Sequence, residues 1–227
     1  MTVSTILFDA YGTLLSTGNA SVDATHMILK KHDRTDLDAI AFYAEWKRLR
    51  AETIKNMTEF VCEAEVFRST LRALYQKYGI DGNADDDVQI MLDTWGTRDA
   101  FPEVRQVIKC LSQTHMLCIA STTDTAPLLR DLDRNGLNIS RIYTSESMRV
   151  YKPHRAFYET ILDDLRLTPD RVLFVGDSLT DDVWGPTQLC IKTCHVNRKN
   201  TPYRDIIPDY TVSTLKELPD LLRGKQL

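Results

Sequence analysis

Apolar and polar residues recur along this chain in two different rhythms, and the change of rhythm divides it. Ile6, Leu7 and Phe8 form a short continuous apolar run that reaches Asp9 and breaks at Gly12. That is the layout of a buried strand presenting one carboxylate at its C-terminal tip. From about Ser21 to Trp95 the spacing becomes helical. Phe42, Trp46 and Leu49 form one stripe, Phe60, Ala64, Phe67, Leu71, Leu74 and Tyr78 a second, and Val88, Met91, Leu92 and Trp95 a third. These stripes predict the interior of a small helical bundle. Gly79 predicts the end of its third helix, and the acidic run from Asp81 to Asp87 supplies N-cap residues for the next. That run lacks the alternating ligand spacing and closing Glu of a calcium loop.

Beyond Phe101-Pro102 the pattern predicts helix 104–111, strand 116–120, helix 124–135, strand 139–143 and helix 154–165. Strand 171–175, helix 181–189, strand 192–196, a short strand near Tyr210 and a helix from Leu215 follow. Strands alternating with helices imply right-handed crossovers and a parallel sheet covered on both faces. The expected class is therefore α/β, with residues 1–15 and 97–227 building the sheet unit and residues 16–96 an all-helical insertion. Hinges are expected near Gly18 and from Thr97 to Pro102.

Composition narrows the partners. With 227 residues, 43% of them apolar, the chain suits one medium domain or a core plus an insertion. The net charge is −4 and no Lys/Arg block is long enough to track phosphates, so nucleic acid is not an expected partner. Apolar runs such as Val172 to Val175 have strand length, so no membrane span is expected. The N-terminus lacks signal-peptide regions, so the expected compartment is cytoplasmic. Cys62, Cys110, Cys118, Cys190 and Cys194 are odd in number and have no CxxC spacing, which reads as reduced thiols. Cys190, Cys194 and His195 flank and enter a predicted strand and are not taken as a metal cluster.

Three more strand ends carry chemistry. Ser121-Thr122-Thr123-Asp124 places a hydroxyl and then exposed amides at a helix start, suited to an anion or to a plain N-cap. Pro153 holds Lys152 in extended backbone, aiming one ammonium at the sheet edge. The run Gly176-Asp177-Ser178-Leu179-Thr180-Asp181-Asp182 ends a buried strand at an acid, with two more acids four and five residues on. Parallel strands deliver these ends to the same side as Asp9, and hard carboxylate oxygens with room for water select Mg²⁺.

In this order, with the helical insertion after the first, these four pieces resemble the haloacid dehalogenase (HAD) superfamily of hydrolases over nearly the whole chain. The resemblance implies a Rossmann-like core with a helical cap, and Asp9 as a nucleophile that forms a covalent aspartyl intermediate. It implies that Ser121 and Lys152, with Thr122 beside them, bind the anionic group of a small substrate. It further implies that Asp9, the Tyr11 carbonyl, Asp177 and Asp182 hold Mg²⁺, with Asp182 preferred to Asp181. Charge counting agrees. Three carboxylates against one ammonium would repel a phosphate dianion, since unit charges at 4 Å interact by about 4 kcal/mol at an effective dielectric of 20.

One residue departs from the phosphatase pattern. Tyr11 stands where the superfamily's phosphatases carry a second aspartate as general acid, and a phenol with pKa near 10 is a poor substitute. Phe-Asp-Ala-Tyr-Gly-Thr-Leu instead resembles the 2-haloacid dehalogenase branch, whose halide needs no proton. That branch uses a cap arginine for its substrate, for which Lys47, Arg48 and Arg50 are the candidates here. Its last motif, however, lacks the metal-binding Gly-Asp pair that this chain has. The expected activity is Mg²⁺-dependent hydrolysis of a small phosphate compound by a monomer or homodimer. The alternatives are 2-haloacid dehalogenation and a binding or regulatory module with a decayed site.

Overall fold

The structure is a computed structural model that describes residues 3–139 and 141–224. The apolar run after the N-terminus becomes β1 (Thr5–Phe8), in which every residue is buried. A strand buried on both faces suits the interior of a parallel sheet covered by helices on each face. The neighbours of β1 are β2 (Met116–Ser121) and β4 (Val172–Gly176). Outside them lie β3 (Arg141–Thr144) on one flank and β5 (Lys192–Val196) and β6 (Tyr210–Val212) on the other, giving the all-parallel order β3-β2-β1-β4-β5-β6.

Four helices fill the segment between β1 and the rest of the sheet unit: α1 (Ala20–Lys31), α2 (Ala39–Lys55), α3 (Glu63–Tyr78) and α4 (Ala84–Leu92). They bury their own apolar cluster around Trp46, Leu71, Leu74 and Val88. Asp38 caps α2, Asn83 caps α4, and Gly79 closes α3 in the left-handed region at φ 60°. The helical spacing that began at Phe60 is realised only from Glu63. Phe60 stays on the preceding loop, stacked on Tyr151 with ring centroids 5.2 Å apart.

The remaining helices are α5 (Val104–Leu111), α6 (Thr125–Arg134), α7 (Ser145–Met148), α8 (Arg155–Leu165), α9 (Gly185–Thr187) and α10 (Leu218–Gly224). Strand alternation sorts the sheet's side chains. Ile6 and Phe8 pack with residues of α5 and α6, whereas Leu7 packs with Phe157, Tyr158 and Ile161 of α8. Two expectations change. The strand expected over 139–143 is observed as Arg141–Thr144, and Ser140 lies outside the described residues. The helix expected over 181–189 is instead a π-helical turn, Leu179–Trp184, followed by the short α9. The Tyr158 hydroxyl inserts there and donates to the Asp181 carbonyl, and Pro186 has no N–H to continue a regular ladder.

The chain crosses between bundle and sheet unit twice, and the crossings hold each other: Ser16 N donates to Asp99 O at 2.8 Å and Phe101 N to Leu14 O at 3.0 Å. From α6, Asp131 accepts from Arg98 N and Asn135 from Ala100 N. Among the described residues no helix is long and apolar enough to cross a membrane.

Candidate active site

Because β1, β2 and β4 run parallel, Asp9, Ser121 and Asp177 leave the sheet at one edge. The Asp9 amide still donates to Val175 O at 2.9 Å, so the carboxylate projects from backbone held by the sheet. Lys152 Nζ lies between two acids, 2.8 Å from Asp9 Oδ1 and 2.7 Å from Asp182 Oδ1, and all three side chains are buried. Asp9, Asp177 and Asp182 each offer an oxygen within 4.8 Å of the others, the one such grouping of potential metal ligands among the described residues. Asp181 is outside it. Ser178 N donates to Asp182 Oδ2 at 2.9 Å, so the π-helical turn folds back and brings Asp182, rather than its neighbour, to the lysine.

Two glycines make this proximity sterically feasible. Gly12 has φ +96°, and a Cβ there would stand 2.2 Å from Asp177 Oδ2. A Cβ on Gly176 would stand 2.2 Å from the Asp182 carboxyl carbon. Beside them Arg198, just past β5, fixes the turn after Asp9. Its Nη2 donates to Thr13 O at 2.9 Å and its Nε to Gly12 O at 3.3 Å, while the guanidinium lies 3.6 Å from the Phe101 ring centroid.

The electrostatics follow from burial and excess acid. Burial pushes the Asp9 carboxyl up to about 7; Lys152 opposes this and the Asp182 charge adds to it. Burial likewise takes Asp182 to about 6 against the pull of Lys152. Asp177 opens to the mouth of the cluster, yet the surrounding protein and then the Asp9 charge raise it to about 6. Burial works against the Lys152 charge, but Asp182 and Asp9 outweigh it and hold the ammonium well above its usual range. Asp9 Oδ2 is buried with no hydrogen-bond partner. An orphaned oxygen among three clustered carboxylates, with one ammonium beside them, fits a hard divalent cation, which prefers oxygen ligands and would relieve the mutual repulsion.

The other sequence-selected residues fall around this cluster. Ser121 is buried at the end of β2. Thr122 Oγ1 is buried without a partner and lines a cavity of about 200 Å³ between bundle and sheet edge, together with Tyr11, Arg50, Glu63, Phe67 and Trp95. Tyr11 does not keep its proton free. Its hydroxyl donates to Asp131 Oδ2 at 2.8 Å, and burial followed by the Asp131 charge raises the phenol far above its usual range. Standing at the general-acid position in sequence, it acts in the structure as a strut from the turn after Asp9 to α6 and the second crossing.

Of the three cap cations, Arg48 pairs outward with Glu45 and Glu52, whereas Lys47 and Arg50 line the cavity. Arg50 pairs with Glu63 and leaves its buried Nε without a partner. Glu63, Asp131, Tyr158 and Arg198 were not legible as site residues, since each works through a partner that only the fold brings to it. Cys194 is buried and Cys190 exposed, and all five thiols are free. A larger open concavity of about 480 Å³ at the turn between α3 and α4 is lined by Gly79 and the acidic capping run and contains none of the candidate catalytic, substrate or metal residues.

The family model described as haloacid dehalogenase-like hydrolase matches residues 3–186. The chain belongs to this family. As a HAD-superfamily hydrolase it is 24% identical over 226 residues to (S)-2-haloacid dehalogenase 1 of Pseudomonas sp. (strain CBS-3), covering 95% of each chain. It is 25% identical over 231 residues to the pyrimidine 5'-nucleotidase PynA of Streptococcus pneumoniae (strain ATCC BAA-255 / R6), covering 96% of this chain and 94% of the relative. Its fold matches the magnesium-bound structure of the putative HAD-hydrolase YfnB from Bacillus subtilis with a TM-score of 0.83 at 22% identity, over 98% of this chain and all of that one. Full-length relatives thus include both dehalogenases and a nucleotidase, and the HAD fold here carries a carboxylate cluster.

Proposed function

We propose that this HAD hydrolase cleaves a small phosphate compound in a Mg²⁺-dependent reaction that passes through a covalent phosphoryl group on Asp9. The observation that carries this reading is the cluster of Asp9, Asp177 and Asp182, in which buried Asp9 and Asp182 flank Lys152, Asp177 stands at the open mouth, and Asp9 Oδ2 is unpartnered. Asp9, Asp177, Asp182 and the Tyr11 carbonyl are the groups to hold the cation, which when bound supplies positive charge to the phosphoryl oxygens. Lys152 fixes Asp9 through Oδ1 and keeps its carboxylate in line with an incoming phosphorus. An Asp9 oxygen then bonds to phosphorus as the bond to the leaving oxygen breaks. Water next attacks phosphorus, releasing inorganic phosphate and restoring the carboxylate. Ser121 and Lys152 bind the phosphoryl oxygens, and Thr122 and Arg50 face the leaving group in the cavity.

Because the Tyr11 hydroxyl is engaged in its hydrogen bond to Asp131, the preferred substrates are those whose leaving group departs without a proton, such as acyl or anomeric phosphates. A cavity of about 200 Å³ between bundle and sheet edge suits a small leaving group. Residues 16–96 act as the cap, and residues 1–15 and 97–227 as the core, of a monomer or homodimer working in the cytoplasm on a small anion. The second reading, dehalogenation of a 2-haloacid, is supported by Tyr11 and by the unpartnered Arg50 Nε in the cavity. A panel of acetyl phosphate, sugar 1-phosphates and 2-haloacids, each with Mg²⁺ or EDTA, tests the choice. Phosphate release that EDTA abolishes is expected; halide release that survives EDTA, with no phosphate compound turned over, overturns it.

A further inference from the structure

Helix α3 starts without a cap of its own. Its N-cap residue is Cys62, which makes no side-chain hydrogen bond to the helix amides. The missing acceptor comes from the sheet unit: Asp124 takes Glu63 N through Oδ1 at 2.8 Å and Ala64 N through Oδ2 at 3.0 Å. Both are among the orphan donors that every helix start leaves. Asp124 itself occupies the N-cap position of α6, where by the usual pattern it would serve its own helix. It makes no such bond, and Glu146 Oε2 substitutes for it by accepting from Thr125 N at 2.7 Å. The carboxylate has therefore been diverted from the helix it precedes to one in the bundle. It is also buried, which raises its protonation range, and the two amides are what offset that burial.

A second tie runs to the same bundle segment. Tyr151, immediately before Lys152, donates from its hydroxyl to Val61 O at 2.9 Å and stacks on Phe60. Asp124 is three residues past Ser121. Each of the two loops that carry anion-binding groups is thus fastened by a near neighbour to residues 60–64, and Glu63 in that segment also holds Arg50 in the cavity.

We propose that Asp124 and Tyr151 are positioning residues forming a clasp, which seats residues 60–64 on the loops of Ser121 and Lys152 and so couples closure of the bundle to the alignment of both loops. The clasp is separate from the chain crossings at 14–18 and 97–101, which stay bonded when it opens. Apart from the one ring stack its contacts are hydrogen bonds that water can replace, as a contact that opens in each turnover requires. The inference rests on the cleft being the reaction site only for its kinetic consequence.

The test uses full-length Asp124→Ala, Asp124→Asn and Tyr151→Phe, followed by hydrogen exchange and by acetyl phosphate kinetics with Mg²⁺. In Asp124→Ala, exchange is expected to rise about tenfold in 60–66 and together with it in 121–124 and 150–153, with α1, α4 and β4 unchanged. KM is expected to rise about tenfold with a smaller change in kcat, because a less populated closed state weakens apparent binding. Asp124→Asn keeps one acceptor oxygen and should lie between. Tyr151→Phe removes a single hydroxyl and gives the same exchange pattern more weakly, which preserves the test if Asp124→Ala fails to fold. Faster exchange confined to 60–66, with 121–124 and 150–153 unchanged in the folded variants, reduces Asp124 to a helix cap and overturns the clasp. Coupled exchange in an enzyme that turns over no phosphate compound upholds the clasp and counts against the proposed function alone.

Discussion

Two acid-rich places lie at the sheet edge of this molecule, and they are built on opposite principles. Around Lys152, Asp9 and Asp182 share one ammonium with Asp177 beside them, all three acids are pushed upward, and Asp9 Oδ2 is left without a partner. At the junction with the bundle, Asp124 is satisfied by two amides, Glu63 by Arg50, and Glu146 by the Thr125 amide. The first is short of positive charge and reads as a place awaiting a ligand. The second has no more positive charge, one guanidinium to three acids, but its carboxylates are taken up by backbone amides and Arg50, and it reads as a joint. An acid's presence at a cleft therefore says less than whether its oxygens are already used.

Breaking the unbalanced cluster should give the largest effects. Asp9→Asn should leave the fold intact, since the amide is isosteric, and abolish hydrolysis, since it cannot form the covalent intermediate. Turnover within tenfold of wild type would remove Asp9 from the nucleophile role. Lys152→Met leaves Asp9 and Asp182 facing each other without their cation, and breaking such a buried pair costs about 3–5 kcal/mol. Chemical denaturation should register that loss. Added Mg²⁺ should recover part of it by binding only the folded form, and an equal loss with and without Mg²⁺ would argue against a metal in the cluster.

Smaller effects are expected where groups are matched. Tyr11→Phe strands Asp131 Oδ2, a buried acceptor, at a cost of about 1–3 kcal/mol in denaturation. The dependence of rate on leaving-group pKa should be unchanged, because the lost hydroxyl was engaged elsewhere; a steeper dependence would return Tyr11 to proton donation. Arg50→Lys should be nearly neutral for stability, as the ion pair with Glu63 can persist, but should weaken substrate binding through loss of the planar Nε donor. An unaltered KM would place Arg50 with the structural ion pairs.

How far the sequence could be read divides along the same line. Asp9, Ser121 and Asp177 could be read as candidates because each ends or follows a strand, and parallel strands bring their ends to one edge, whereas Lys152 and Asp182 were singled out by Pro153, by the spacing of the acids and by the family resemblance. The helical insertion was legible from its apolar stripes. Asp124 was legible only as an N-cap; which helix it caps depends on tertiary placement, and α3, lacking a capping residue at Cys62, takes it from across the junction. Tyr11 was recognisable as a departure, but its bond to Asp131 spans 120 positions. The turn at Leu179–Trp184 defeated the helical reading because the Tyr158 hydroxyl enters it from α8, where the pattern shows only a core aromatic.

The most direct test of the central claim follows the oxygen of water. A single turnover in ¹⁸O-water, run with acetyl phosphate and Mg²⁺ and in parallel with 2-chloropropionate, is followed by mass analysis of the peptide containing Asp9. Attack of water on phosphorus puts the heavy isotope into released phosphate and leaves the Asp9 carboxylate unlabelled, which is the result the account predicts. Heavy oxygen in the Asp9 peptide after turnover of 2-chloropropionate, with none in phosphate from acetyl phosphate, would mean that water attacks the Asp9 carbonyl of a carbon ester. That result would contradict phosphoryl transfer as the reaction of this site.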